Sequence, residues 1–175
     1  MRCGFKIILC LLCWIGAPLS AAASMPVISY YVVSQDVRSV MNDMGKILGI
    51  PISAAPDIKG KATSGRYNGT AVEVLDALCR DMGLHRFYDG NTLYVTRASS
   101  AVTRVLDMNA VSRDELSDGL RRIGIDTEQF PLREDREKGV LVLYGPPRYA
   151  AVVETVADHL ISAKRRSLPG VMRGR

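Results

Sequence analysis

Three helical patterns in this sequence end in the same way: Leu48-Gly49-Ile50, Met82-Gly83-Leu84 and Ile123-Gly124-Ile125. In each, an amphipathic run stops at a glycine and an apolar residue follows at once. Glycine takes the left-handed backbone that closes a helix, and the apolar residue after it packs back on the helix being left. The repeat predicts helix-to-strand punctuation, not a phosphate-binding loop, and it points to similar small α/β units in tandem.

The apolar periodicity fills in the rest. A strand is expected at residues 28–33. A helix follows with Val37, Val40, Met41, Met44, Ile47 and Leu48 on one face. Short strands at 51–54 and 61–67 flank the turn-prone Pro56-Asp-Ile-Lys-Gly60. A second helix spans 71–82, opens on the capping box Thr70-Ala-Val-Glu73 and carries Ala71, Leu75, Leu78, Cys79 and Met82 on its apolar face. Strands at 86–88 and 93–96 then enclose Asp89-Gly90-Asn91, a hairpin pattern. After the small-residue joint Ala98-Ser-Ser-Ala101 a strand is expected at 102–108. The capping box Ser112-Arg-Asp-Glu115 starts a helix with Leu116, Leu120 and Ile123 on one face. Strands at 130–133 and 140–144 follow, joined by a charged loop. Gly145-Pro-Pro-Arg-Tyr149 opens the last helix, whose apolar face is Tyr149, Val152, Val153, Val156 and Leu160. The expected fold is α+β: a β-α-β-β-α-β-β unit at 27–97 and a β-α-β-β-α, KH-like unit at 102–163. Units of 60–70 residues have small cores, so neighbours often complete them.

Ahead of the units stand Arg2 and Lys6, then the apolar run Ile7-Ile-Leu-Cys-Leu-Leu-Cys-Trp-Ile15, then Ala21-Ala22-Ala23. That order predicts a secretory signal over 1–23, cut between Ala23 and Ser24. The run falls short of the roughly 20 apolar residues that span a bilayer. Export would remove three of the four cysteines and leave Cys79 alone, which excludes an intramolecular disulfide and a paired-cysteine metal site. Residues 24–163 hold 16 basic against 18 acidic residues, whereas 164–175 hold five basic residues and no acid. The chain's net charge of +5 therefore resides in its ends, and a flexible basic tail is expected at 164–175.

No catalytic constellation is visible. His85 and His159 stand at a strand start and a helix end, where structural roles are expected. Cys79 sits on an apolar helix face, away from the electropositive, exposed setting a reactive thiol needs. Glu134 and Asp135 lie among Arg133, Arg136 and Lys138 as a mixed-charge loop. Gly65 and Gly69 make no dinucleotide fingerprint. Pro146 and Pro147 remove two of the backbone donors an anion cradle would need. No enzyme, cofactor, metal or small-molecule substrate is expected, and no nucleic-acid binding, because stacking aromatics on a basic sheet face are missing.

Residues 27–97 resemble the N0 domain that secretins share with TonB-dependent signalling receptors. The resemblance rests on Ser64-Gly-Arg-Tyr-Asn-Gly-Thr70, Val74-Leu75-Asp-Ala-Leu78, Gly83-Leu84 and Tyr88-Asp-Gly-Asn-Thr-Leu-Tyr-Val95, and it leans to the type III branch. Residues 102–163 resemble the next secretin domain, N1, through Arg122-Ile-Gly-Ile125, Phe130-Pro-Leu-Arg133 and Gly145-Pro-Pro-Arg-Tyr149. The resemblance implies a periplasmic ring component of a type III secretion apparatus, associated with the outer-membrane secretin complex. It would dock to the inner-membrane ring protein through the first unit and form a homo-oligomeric ring through the second.

The contact residues expected from this likeness are Arg66, Tyr67, Asn68, Asp89, Asn91, Pro146, Pro147, Arg148 and Tyr149, for each of which turn chemistry serving its own fold is an equal explanation. Type III secretins continue into a barrel, and about twelve residues after the second unit cannot supply one, since each membrane strand takes roughly 9–11 residues. The expectation is therefore a split secretin, as in rhizobial type III systems, with a separately encoded barrel protein as partner. The alternatives are a signalling or receptor adaptor with an N0-like domain, and a non-functional fragment of a full-length secretin.

Overall fold

A computed structural model describes residues 26–107, 111–135 and 137–167. The expected signal segment, its Ala23/Ser24 cut and residues 168–175 lie outside the described residues. The first unit runs β1 (Val27–Val32), α1 (Val37–Leu48), β2 (Ile52–Ala54), β3 (Gly65–Thr70), α2 (Ala71–Asp81), β4 (Leu84–Tyr88) and β5 (Leu93–Arg97). A 3₁₀ turn, Ala98–Ser100, leads to β6 (Val102–Asp107), α3 (Arg113–Arg122), β7 (Arg133–Asp135), β8 (Val140–Gly145) and α4 (Pro147–Ser167). The element order in both units is the one the periodicity predicts.

Local chemistry starts and stops the helices as expected. Thr70 and Ser112 form complete capping boxes: the Glu73 amide donates to Thr70 Oγ1 at 3.3 Å while Glu73 Oε2 accepts from the Thr70 amide at 2.8 Å. The same exchange joins Ser112 and Glu115 at 3.2 and 2.8 Å. The amide of Thr70 holds the Glu73 carboxyl below its ordinary pKa, with the Thr70 hydroxyl adding to the effect. Replacing Thr70 by alanine is expected to lower unfolding stability by about 1 kcal/mol in a urea titration, because one helix-start donor loses its acceptor. Gly49, Gly83 and Gly124 sit at φ +68°, +61° and +79°, the left-handed closure that the repeated triplets require.

Two cores result. Val37, Val40, Met41 and Met44 of α1 and Val74, Leu75, Leu78 and Cys79 of α2 cover one face of a sheet ordered β2-β5-β4, with Leu93 and Val95 beneath them. β2 runs parallel to β5, and β4 runs antiparallel to it. β1 and β3 form a separate antiparallel ribbon in the register Tyr30↔Tyr67. The second core gathers Leu116, Leu120, Ile125, Phe130, Leu132, Leu141, Leu143, Tyr149, Ala150 and Val153 around a sheet ordered β6-β8-β7.

Four local expectations shift. The strand expected at 61–67 lies at Gly65–Thr70, because its pairing with β1 starts at Val32↔Gly65; Lys61 keeps only a single bridge to Asp36. The strand expected at 130–133 lies at Arg133–Asp135: Phe130 and Leu132 enter the core from an irregular segment, and the ladder begins at Arg133↔Val142. Ile47 and Ile123, assigned to apolar faces, are exposed at helix ends, where the stripe has rotated off the core. The basic segment assigned to a tail starts inside α4, with Lys164, Arg165 and Arg166 in the last turn, where cations face the negative end of the helix dipole.

Candidate functional site

The sheet of the first unit is covered on both faces, and the second covering is the other unit. Alternation sends Leu84, Leu93 and Val95 to the helical side, while the cross-strand pairs His85↔Thr96 and Phe87↔Tyr94 stand on the opposite side. Phe87, from the first unit, is buried in the core of the second. Its ring meets Tyr149 edge-on at 5.5 Å, and Tyr149 lies 5.3 Å from Phe130. The Tyr149 hydroxyl donates to the Phe130 carbonyl at 2.8 Å. Burial raises the Tyr149 phenol to about 12, so it remains a donor at any ordinary pH. Gly145 is required here, because a Cβ would stand 2.9 Å from Tyr149 Cδ1 and 3.1 Å from Phe130.

At the rim, Arg148 sits 5.1 Å over the Tyr94 ring and 3.6 Å from Asp89. Asp89 also accepts from the amides of Thr92 and Asn91 at 2.9 and 3.1 Å. The Thr92 amide does most to hold its carboxyl below the ordinary range; desolvation opposes it, and the Asn91 amide, the Tyr94 side chain and the Arg148 charge add to the lowering. Both rim pairs are solvated, so each contributes less than about 1 kcal/mol. The aromatic contacts beneath them carry the joint.

His85 belongs to the same joint. Its ring lies 5.4 Å from Phe130 and 6.5 Å from Tyr144, both edge-on, and its Nδ1 is buried without a hydrogen-bond partner among the described residues. Burial lowers its pKa from the ordinary 6.5. Between the folded and unfolded values the unfolded chain binds more protons, so stability is lost as the pH falls through about 6.5. The stability of the wild type relative to His85→Gln is therefore expected to decline between pH 7.5 and 5.5, as read by denaturant titration at each pH. A constant difference would remove His85 from the joint.

The residues singled out from sequence thus separate into three groups. Asp89, Arg148 and Tyr149 serve the joint, Tyr149 is buried there, and Pro146 is buried beside it, where its carbonyl accepts from the Ala150 amide at the start of α4. Asn91 and Pro147 are exposed, Asn91 at the hairpin tip and Pro147 as the first residue of α4. Arg66, Tyr67 and Asn68 lie in the ribbon, where Tyr67 points inward and donates to Asp81 Oδ2 at 3.0 Å. Arg66 sits over Tyr31 at 5.2 Å, and Asn68 Oδ1 accepts from Ser29 at 2.8 Å and from Arg66 at 3.1 Å. Beside them Val27, Tyr31 and Val33 are 76 %, 57 % and 77 % exposed, an apolar and cationic ribbon face open to solvent. Sequence reading missed Phe87, Tyr94, Phe130 and Tyr144. The clue was Phe87 and Tyr94 standing out of phase with Leu84, Leu93 and Val95, as happens when both sheet faces are covered.

Two nearby groups on the α2 side of the sheet are held in unreactive states. Arg86 makes a two-pronged ion pair with Asp76. Burial raises the Cys79 thiol to about 12, so it stays protonated. Among the described residues no cluster of His, Cys, Asp and Glu could hold a metal ion, and no helix is long and apolar enough to cross a membrane.

Two small α/β units in this order match the fold of secretin N-terminal domains. Over 80% of this chain and 99% of the other, the fold matches the InvG N0N1 region solved with SpaPQR and PrgHK in the Salmonella SPI-1 injectisome, with a TM-score of 0.66 and 25% identity. No family model matches the chain. Its homologues are nodulation proteins named NolW and type III secretion system secretins. It is 29% identical to NolW of Rhizobium fredii over 164 residues, 90% of this chain and 70% of that protein. It is 30% identical to the type III secretin of Ralstonia nicotianae over 129 residues, 74% of this chain and 22% of the secretin. The chain thus spans less than a third of the full-length secretin it matches.

Proposed function

We propose that this protein is a periplasmic ring component of a type III protein secretion apparatus, acting by docking and not by catalysis. The observation that carries the proposal is the InvG match, which spans 80% of this chain and 99% of the InvG N0N1 region. In that assembly InvG N0N1 stands with PrgHK. The corresponding partner here is an inner-membrane ring protein. The exposed ribbon face of Val27, Tyr31, Val33, Arg66 and Asn68 fits such a contact, since it offers apolar area with one cation and amide groups.

The second unit is proposed to pack against copies of itself, the heterologous closing contact that makes a ring. Val105, 62 % exposed, stands cross-strand from Val142 on the sheet of the second unit and suits that role, with Tyr144, 54 % exposed, at the border with the joint. The barrel is proposed to reside on a separately encoded partner. Co-expression of the two chains, followed by affinity capture from outer membranes, tests this. Recovery of both in one ring-sized complex is expected, and a stable pore built by this chain alone would overturn the proposal.

A further inference from the structure

We propose that the free edge of β4 is a docking slot for one extended, lysine- or arginine-bearing strand of a partner protein. β4 ends the order β2-β5-β4. The Gly83 carbonyl accepts from the Ala98 amide at 2.9 Å, and the Asp89 amide donates to the Thr92 carbonyl at 3.2 Å. These bonds set the phase of the antiparallel ladder, so positions 83, 85, 87 and 89 turn their main-chain groups to β5. Leu84, Arg86 and Tyr88 therefore turn their N–H and C=O groups outward.

That edge opens into a cleft of about 850 Å³. α2 forms one wall, and the segment from Gly124 to Phe130 of the second unit forms the other. A five-residue strand, about 16 Å long, 4.8 Å wide and 10 Å thick between layers, occupies roughly 800 Å³. The slot thus has the size and the main-chain chemistry of one missing strand, the requirement for β-augmentation.

Charge selects the occupant. Asp76 on the α2 wall is already held by Arg86. Asp126 and Glu128 line the wall given by the second unit; Asp126 accepts from the Glu128 amide at 2.8 Å and feels the Arg86 charge, but the two-pronged bond of Arg86 goes to Asp76. Arg80 is on the opposite wall and exposed. A strand whose alternate side chains point to the second unit would therefore meet two carboxylates there. The inference is independent of the ring reading, since it concerns one edge of the monomer and not the assembly.

The test uses the isotope-labelled full chain and two acetylated, amidated seven-residue peptides, one alternating valine with lysine and the other valine with glutamate. With the lysine peptide, amide exchange at Leu84, Arg86 and Tyr88 is expected to slow about tenfold as the new ladder forms. The glutamate peptide is expected to bind about fivefold more weakly, and the double variant Asp126→Lys with Glu128→Lys to reverse that preference, as two exposed charge pairs allow. Protection confined to the β1 or β6 edge, equal binding of the two peptides, or self-association of the chain in place of binding would each overturn the proposal.

Discussion

Tyr149→Ala is expected to unfold the second unit at room temperature and to leave the first unit folded. Tyr149 is fully buried where α4, β8 and the segment before β7 meet, and its ring contacts both Phe87 and Phe130. Truncating a buried aromatic costs about 3–5 kcal/mol through lost transfer energy and the cavity left behind. Removing the hydroxyl also orphans the buried Phe130 carbonyl, which costs a further 1 kcal/mol or so. Domains are stable by roughly 0.05–0.15 kcal/mol per residue, which for a unit of about 65 residues is only about 3–10 kcal/mol. The loss therefore approaches the whole stability of the unit. Amide cross-peaks measured on the variant should show residues 102–161 collapsed into the unfolded range while 27–97 stay dispersed. Tyr149→Phe, which removes only the hydrogen bond, should cost about 1 kcal/mol and keep both units. If the alanine variant melts within 1 kcal/mol of the wild type, Tyr149 is not the centre of that core.

Phe87→Asp is expected to part the two units without unfolding either. Phe87 is 4 % exposed, yet it is rooted in the first unit and buried in the second. A carboxylate there would face Tyr149 and the apolar face of the second core with no cation prescribed for it. Burying it costs several kcal/mol, whereas releasing it to water costs only the joint. The covalent link at the joint is the short turn Ala98–Ser100, and besides Phe87 the described contacts that hold the units together are those of Arg148, His85 and Tyr94. Small-angle scattering should show a radius of gyration rising well above the roughly 14 Å of a compact body of about 140 residues. Limited proteolysis should begin to cut near Ala98–Ala101. An unchanged radius and an intact link would show that the joint does not depend on Phe87.

The same variants bear on assembly. In the proposed ring the first unit and the second face different partners, so a rigid joint fixes one contact relative to the other. A parted Phe87→Asp chain would keep its ribbon face and its second sheet face but lose their mutual orientation. Weakened ring incorporation with both units folded is the expected consequence.

Much of this fold was legible in the chain because it is written in local chemistry. The three glycines at helix ends and the two capping boxes act within a few residues and appear where the spacing put them, while the apolar periods held except at Ile47 and Ile123. The element order followed from them, and so did the likeness to secretin N-terminal domains. What failed was local geometry that depends on a distant partner. β3 begins at Gly65 because β1 offers its pairing register from Val32, and Phe130 leaves its strand because the second core claims its ring.

The contact residues depended most on tertiary structure. Asp89 and Arg148 stand 59 positions apart, and only the docking of the units makes them a pair. Tyr149 and Tyr67 looked like surface candidates because an aromatic beside an arginine reads the same in sequence whether its ring points in or out. The order of helices and strands was set by the sequence alone, through short-range backbone and capping energies. Which faces remain free to dock was set by packing, because a sheet face becomes a surface or an interior only when something else does or does not cover it.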